Sequence, residues 1–164
     1  MKDKVKIHVL PKVEFEEILN NNDINDDNVE ELINYAFISI NDSCGNYYHK
    51  PLFKSEHHNV LTLFFDDVSH DMEGSPTNRG ETKAFTREQA SEIISFLKEN
   101  KNVNTVLVHC AAGISRSGAV GQFVLDFMDG DRDFFQSTNR HIMPNVHISR
   151  TLNEEMRNGN NPNV

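Results

Sequence analysis

One stretch of the sequence decides the expected fold: His109-Cys110-Ala111-Ala112-Gly113-Ile114-Ser115-Arg116-Ser117. Before it, the apolar run Val106-Leu107-Val108 predicts a buried strand over residues 103–108. After it, apolar residues at helical spacing predict a helix over residues 117–128. The stretch is therefore expected to form a loop that joins the carboxyl end of a strand to the start of a helix.

Such a loop is suited to hold an anion. A strand–loop–helix turn directs backbone N–H groups and the helix N-terminus into one concavity, which holds a tetrahedral oxyanion and favours Cys110 as the thiolate. Gly113 allows the tight backbone path. Arg116 follows after one circuit of the loop, and its planar fork can bind two phosphoryl oxygens. Ser117 can donate a hydrogen bond to the sulfur and also suits the N-cap of the helix.

The rest of the chain alternates short strands with helices. Further strands are predicted over residues 6–10, 35–40 and 60–65, and further helices over residues 13–19, 86–100 and 147–156. Fully apolar strands alternating with helices are typical of an α/β fold whose central, mostly parallel sheet is flanked by helices on both faces. We predict a single domain over residues 1–157 and a disordered tail at 158–164. Residues 69–83 show no regular pattern, which indicates a long loop that could cover a site.

Composition narrows the class of protein. With 25 acidic and 16 basic residues among 164, the net charge of −9 argues against a nucleic-acid or anionic-membrane partner. Two cysteines are too few for a disulfide framework and suit a reducing compartment. The eight histidines show no metal-ligand spacing. We therefore expect a cytoplasmic monomer that needs no metal or cofactor.

The pattern H-C-x5-R-S at residues 109–117 resembles the signature of the cysteine-based protein tyrosine phosphatase superfamily. The short chain and small loop residues are similar to its compact dual-specificity, bacterial and viral members. The resemblance implies that a phosphorylated protein is hydrolysed at phosphotyrosine, and also at phosphoserine or phosphothreonine, through a phosphocysteine intermediate. It makes Cys110, Arg116 and Ser117 catalytic and gives His109 an orienting role through hydrogen bonds to nearby backbone. The phosphate-binding residues that it implies are Ala111, Ala112, Gly113, Ile114, Ser115 and Arg116.

The resemblance also implies a general acid, an aspartate after the strand that precedes the helix leading to the cysteine strand. Asp66 and Asp67 occupy that position, and the pattern Phe65-Asp66-Asp67-Val68 favours Asp67. Asp66 is the second candidate and Asp71 the third. The separation from Cys110 is longer than in dual-specificity members, with the excess in residues 69–83.

Several alternatives stay open at this point. Low-molecular-weight phosphatases and arsenate reductases also use C-x5-R, but they place the loop and the acid in the opposite order along the chain. A catalytically silent phosphopeptide-binding module would keep the loop as an anion trap. Cys44 is either a small buried residue or a partner for a disulfide with Cys110 under oxidation, and Tyr47 and Tyr48 either border the pocket or lie in solvent.

Overall fold

The computed structural model describes residues 3–68, 76–77 and 80–159. Within them, the strands are β1 (Lys6–Pro11), β2 (Tyr35–Asn41), β3 (Val60–Phe64), β4 (Pro76–Thr77), β5 (Gly80–Glu81) and β6 (Thr105–Cys110). The helices are α1 (Lys12–Asn21), α2 (Arg87–Glu99), α3 (Arg116–Phe127), α4 (Arg132–Thr138) and α5 (Val146–Gly159), with a 3-10 turn at Val29–Glu31. Asp71 and the Gly74 part of the expected covering loop lie outside the described residues.

Four of these strands form one parallel sheet in the order β1-β6-β2-β3. β4 and β5 pair antiparallel as a separate two-stranded piece within the stretch 69–83, where no regular element was expected. The prediction of a central, mainly parallel sheet is confirmed. Because the four strands run in one direction, their carboxyl ends meet at one edge of the sheet.

Helices cover both faces of the sheet, as predicted, but unequally. On one face α1 packs Phe15 and Leu19 against Phe37 of β2 and Leu107 of β6. The larger core on the other face receives buried side chains from α2, α3, α4 and α5. Alternate residues of β6 serve the two sides, since Val106, Val108 and Cys110 join the larger core. The cysteine strand is therefore enclosed on both faces.

The element boundaries differ from the sequence prediction in places that have local causes. α3 begins at Arg116, so Ser117 lies in the first turn and does not cap the helix. α2 has the expected cap at Thr86, completed by Gln89 in a capping box. α4 was not predicted, although Asp131 gave a signal: its side chain accepts a hydrogen bond from the backbone N–H of Phe134 at 2.9 Å.

The final helix extends further than expected. α5 reaches Gly159, two residues into the segment 158–164 that was expected to be a disordered tail, and residues 160–164 lie outside the described part. No helix within the described ranges is long and apolar enough to cross a membrane.

Asn139 seals the outer edge of β1. Its side chain, 3% exposed, accepts a hydrogen bond from Val9 N at 2.8 Å and donates one to Ile7 O at 2.9 Å. His141 Nε2 lies 3.1 Å from Val9 O. Since unpaired strand edges expose backbone donors and acceptors, Asn139 supplies the hydrogen bonds that a neighbouring strand would supply.

Replacing Asn139 by alanine should destabilise the protein. Val9 N and Ile7 O would each become buried without a partner, at about 1–3 kcal/mol per group. We expect the free energy of unfolding in urea to fall by about 3 kcal/mol. The control is Asn22→Ala, because Asn22 is exposed and bonds only within its own turn of helix. Equal effects of the two substitutions would contradict the sealing role.

Candidate active site

The four parallel strands end at one edge of the sheet and deliver polar side chains there. β6 ends at Cys110, and Lys12 follows the last residue of the neighbouring strand β1. On the other side, Asp42 follows β2, and Asp66 and Asp67 follow β3 by two and three residues. The carboxyl edge of a parallel sheet is where ligands bind in open α/β folds. The chemistry predicted for Cys110 is therefore placed where the fold can use it.

Cys110 lies at the floor of the loop, with 2% of its surface exposed. Ser117 Oγ lies 3.0 Å from its Sγ, and the backbone N–H of Gly113 donates to the same sulfur at 3.3 Å. The side chains of Ala112 and Ile114 are exposed at the rim, and Gly113 is buried. The loop thus surrounds the sulfur with groups able to stabilise negative charge, as the sequence predicts.

Gly113 has a backbone conformation that requires glycine. Its φ is +72°, and a Cβ added there would lie 2.3 Å from Pro11 N and 2.4 Å from Leu10 C. The backbone N–H of Lys12 also donates to Ala111 O at 3.2 Å. The loop therefore packs directly against the junction of β1 and α1, and any side chain at position 113 would force it away.

Arg116 is held beneath the loop by the ends of β2 and β3. The residue is 6% exposed, and its Nη1 lies 2.8 Å from Asp42 Oδ1 and donates to Phe65 O at 2.8 Å. Two contacts on one nitrogen fix the plane of the guanidinium, so its remaining donors are oriented in advance. Asp42 was not predicted as a site residue. Its position directly after a strand that neighbours the cysteine strand was the available signal.

Asp67 is exposed and faces the loop. Its Oδ1 accepts hydrogen bonds from Ser115 Oγ at 2.7 Å and from Asn145 Nδ2 at 2.8 Å. Asn145 also donates its backbone N–H to Ser115 O at 3.0 Å. The side chain of Asp67 is thus joined both to the loop and to the segment that precedes α5, a contact that the sequence did not reveal.

Asp66 points to a different environment. Its carboxylate accepts hydrogen bonds from the backbone N–H and hydroxyl of Ser43 and from Lys83 N at 2.8 Å. Burial alone would raise the pKa of Asp66, but these hydrogen bonds outweigh it and lower the pKa below its ordinary value. Asp66 therefore joins the end of β3 to the chain after β2 and stays charged near neutral pH.

His109 is fully buried on the opposite face of β6, with its ring centroid 4.5 Å from that of Phe15. Its Nδ1 lies 3.2 Å from Cys110 O and its Nε2 lies 2.6 Å from Ser39 Oγ. Burial lowers the pKa of His109 from 6.5 to about 3, and the nearby Lys12 and Arg116 act in the same direction. Since a carbonyl only accepts, the neutral ring donates from Nδ1 and accepts at Nε2. This geometry suits the orienting role expected for His109.

Lys12 is the residue at this edge that sequence reasoning missed most completely. It is 1% exposed, and its ammonium donates to Asn41 Oδ1 at 3.1 Å and to the carbonyls of Tyr47 and Lys50. Three N–H donors thus have three oxygen acceptors, which is the condition for burying a charge. Burial lowers the pKa of Lys12, partly offset by Glu16 and Asp42. Lys12 ties the start of α1 to the chain that follows Asp42.

Two residues considered for the pocket lie elsewhere or stay undecided. The Tyr47 ring lies 4.9 Å from Lys12 Nζ, and its hydroxyl donates to Glu16 Oε1 at 3.1 Å, so it belongs to the surroundings of Lys12. Tyr48 is 40% exposed. Cys44 is half-buried and both cysteines are free thiols, which leaves its oxidation chemistry untested. Across the described ranges, no group of three or more His, Cys, Asp or Glu side chains is arranged to hold a metal ion.

Comparison with known proteins adds little to this geometry. No protein-family model matches the chain, and no curated protein matches its sequence. Among solved structures, the chain is similar to the crystal structure of PTPMT1 in complex with PI(5)P. The TM-score is 0.49 at 15% sequence identity, over 93% of this chain and 91% of that chain. Similarity at this level does not extend to function, so the chemistry depends on the contacts described above.

The buried neutral state of His109 makes stability depend on pH. The unfolded chain binds a proton at this histidine below about pH 6.5, whereas the folded protein does so only near pH 3. The unfolded state therefore holds more protons between these values, and stability falls as pH decreases through this window. We expect His109 to contribute a loss of about 1 kcal/mol between pH 7 and about pH 5.5.

The measurement is urea unfolding of the wild type and His109→Asn at both pH values. The asparagine variant should lose this share of the pH dependence, whatever its absolute stability. His58→Asn, at an exposed histidine, serves as the control and should keep the wild-type dependence. An unchanged pH dependence in His109→Asn would show that the folded protein protonates His109 as readily as the unfolded chain.

Proposed function

We propose that the chain is a cysteine-dependent phosphatase that hydrolyses phosphotyrosine in proteins, and phosphoserine or phosphothreonine by the same steps. The observation that carries this proposal is the arrangement at one loop. Gly113 N–H and Ser117 Oγ lie within 3.3 Å of Cys110 Sγ, and Arg116 is fixed by Asp42 at the end of the same loop. A nucleophile, an anion cradle and an oriented cation are the parts that phosphoryl transfer needs.

In the first step the Cys110 thiolate attacks phosphorus in line with the bond to the leaving oxygen. A P–S bond forms as the P–O bond breaks, and Asp67 donates a proton to the departing oxygen. The backbone N–H groups of residues 111–116 and the Arg116 guanidinium stabilise charge on the equatorial phosphoryl oxygens. Because these donors are already held in place, little reorganisation accompanies the reaction.

The contacts of the two aspartates favour Asp67 as the acid. Both donors that reach Asp67 bind Oδ1, so Oδ2 is the oxygen suited to carry the transferred proton. Asp66, by contrast, receives hydrogen bonds on both oxygens, and these lower its pKa. A carboxyl that stays charged near neutral pH has no proton to donate.

In the second step water attacks the phosphocysteine. Asp67, now a carboxylate, takes a proton from the water, and the P–S bond breaks to release inorganic phosphate and the Cys110 thiolate. Ser117 Oγ, 3.0 Å from Sγ, donates a hydrogen bond to the sulfur as it becomes negative again. These steps use side chains and backbone of this chain together with water.

The loop also bears on the type of substrate. Ala111, Ala112, Ile114 and Ser115 carry no charge, so Arg116 is the single cationic side chain in the sequence 110–116. Substrates with several phosphates gain from additional cations, whereas one phosphoryl group needs one bidentate partner. This favours a phosphorylated protein side chain over a polyphosphorylated ligand.

The proposal predicts distinct losses for the nucleophile and the acid. Hydrolysis of para-nitrophenyl phosphate in the presence of EDTA should fall below detection in Cys110→Ser. In Asp67→Asn, kcat should fall about 10²-fold or more on phenyl phosphate, whose leaving group needs a proton. The loss should be smaller on para-nitrophenyl phosphate, because nitrophenolate leaves more easily without protonation.

Asp66→Asn is the matched control for Asp67→Asn. It changes a neighbouring carboxylate in the same way and should not show the dependence on the leaving group. The reverse pattern would make Asp66 the acid. Wild-type protein that binds phosphotyrosine peptides without hydrolysing them would instead establish a silent phosphate-binding module.

A further inference from the structure

Three large apolar side chains are exposed next to the phosphate loop. Ile114 is 37% exposed, Met143 74% and Val146 68%. Single exposed apolar residues are ordinary on protein surfaces, whereas neighbouring ones mark binding sites. These three belong to two segments that are bonded to each other, and we call them the apolar rim.

Backbone hydrogen bonds hold the two segments together. Met143 N donates to Ile114 O at 3.0 Å, and Asn145 N donates to Ser115 O at 3.0 Å. The rim is therefore joined to two successive residues of the loop that surrounds Cys110. Its distance from the reacting phosphoryl group is set by the fold and does not depend on a flexible tether.

The far side of the rim is equally well anchored. Asn145 Oδ1 accepts a hydrogen bond from Ile148 N at 3.0 Å at the start of α5, while Asn145 Nδ2 donates to Asp67 at 2.8 Å. Val146 is the first residue of that helix. Rigid, exposed apolar groups bind with little loss of conformational entropy, which is the usual condition for a preformed contact surface.

The occupant that these observations favour is the substrate itself. Successive residues of an extended peptide lie about 3.5 Å apart, so residues beside the phosphorylated one reach the border of the loop. A membrane surface is less favoured, because anionic lipids attract clusters of basic residues and this chain has a net charge of −9. The rim is also continuous with the site that receives the phosphoryl group.

We propose that Ile114, Met143 and Val146 bind an apolar side chain next to the phosphorylated residue, so that the protein selects phosphosites with aliphatic or aromatic neighbours. The inference rests on the proposed function in that it takes a phosphoprotein as substrate. Apolar burial at the rim adds affinity without taking part in the chemistry.

The test measures peptide binding apart from turnover. Two phosphotyrosine peptides are compared, one with leucine and one with glycine on both sides of the phosphotyrosine. Their dissociation constants are measured by calorimetry on full-length Cys110→Ser, which retains the loop but lacks the nucleophile. We expect the leucine peptide to bind about 10-fold more tightly, equivalent to about 1.4 kcal/mol.

Adding Met143→Ser and Val146→Ser to the same background should reduce this ratio to near one. Both side chains are exposed, so the fold should be kept, and a circular dichroism spectrum checks this. Ile33→Ser is the matched control, because Ile33 is 76% exposed and precedes β2 at the opposite end of the strands. It should leave the ratio unchanged.

Equal affinity for the two peptides, or no measurable binding of either, would overturn the proposal. So would a ratio that survives the double substitution. Loss of binding to phosphatidylcholine–phosphatidylserine vesicles in the double variant, with an unchanged peptide ratio, would assign the rim to a membrane surface instead. Wild-type hydrolysis of para-nitrophenyl phosphate is measured separately, so failure of the phosphatase proposal is distinguished from failure of the rim.

Discussion

The close approach of Gly113 to the end of β1 is the constraint on which the rest of the site depends. With φ at +72° and the backbone of Leu10 and Pro11 within 2.4 Å of an added Cβ, the loop can close only if position 113 has no side chain. That closure points Gly113 N–H at the Cys110 sulfur. It also brings Ala111 O to the backbone N–H of Lys12, so the nucleophile loop and the start of α1 are held as one piece.

Two buried cations stabilise this arrangement because each has defined acceptors. Arg116 is matched by Asp42 and Phe65 O, and Lys12 by Asn41 and two backbone carbonyls. Buried charges are tolerated when they are paired and hydrogen-bonded, and they then fix the position of the chains that carry the partners. The consequence is that β1, β2, β3 and β6 each contribute a fixed group at the same edge. An anion entering the loop would find donors that are already oriented.

The parts of the structure that were predictable are those in which the determining residues are local. The run Val106 to Ser117 contains a buried strand, a glycine-dependent turn and a helix start in immediate succession, and the parallel α/β fold followed from the same alternation. Asp42, Lys12 and Asn145 were missed because their roles come from partners distant in sequence: Asp42 is 74 residues from Arg116. α4 was missed because its short length gives a weak periodic pattern, although Asp131 marked its start.

The account's central claim is that phosphorus is transferred to the Cys110 sulfur before it reaches water. Ser117→Ala should slow the second step, because the departing thiolate loses its hydrogen bond, and so allow the intermediate to accumulate. The measurement is rapid mixing of this variant with a phosphotyrosine peptide, an acid quench and peptide mass spectrometry of the fragment that contains Cys110. The account predicts one phosphoryl group on Cys110, formed in step with release of the dephosphorylated peptide and before free phosphate. Continued turnover with no phosphoryl group on Cys110, or with the group on another residue, would contradict it.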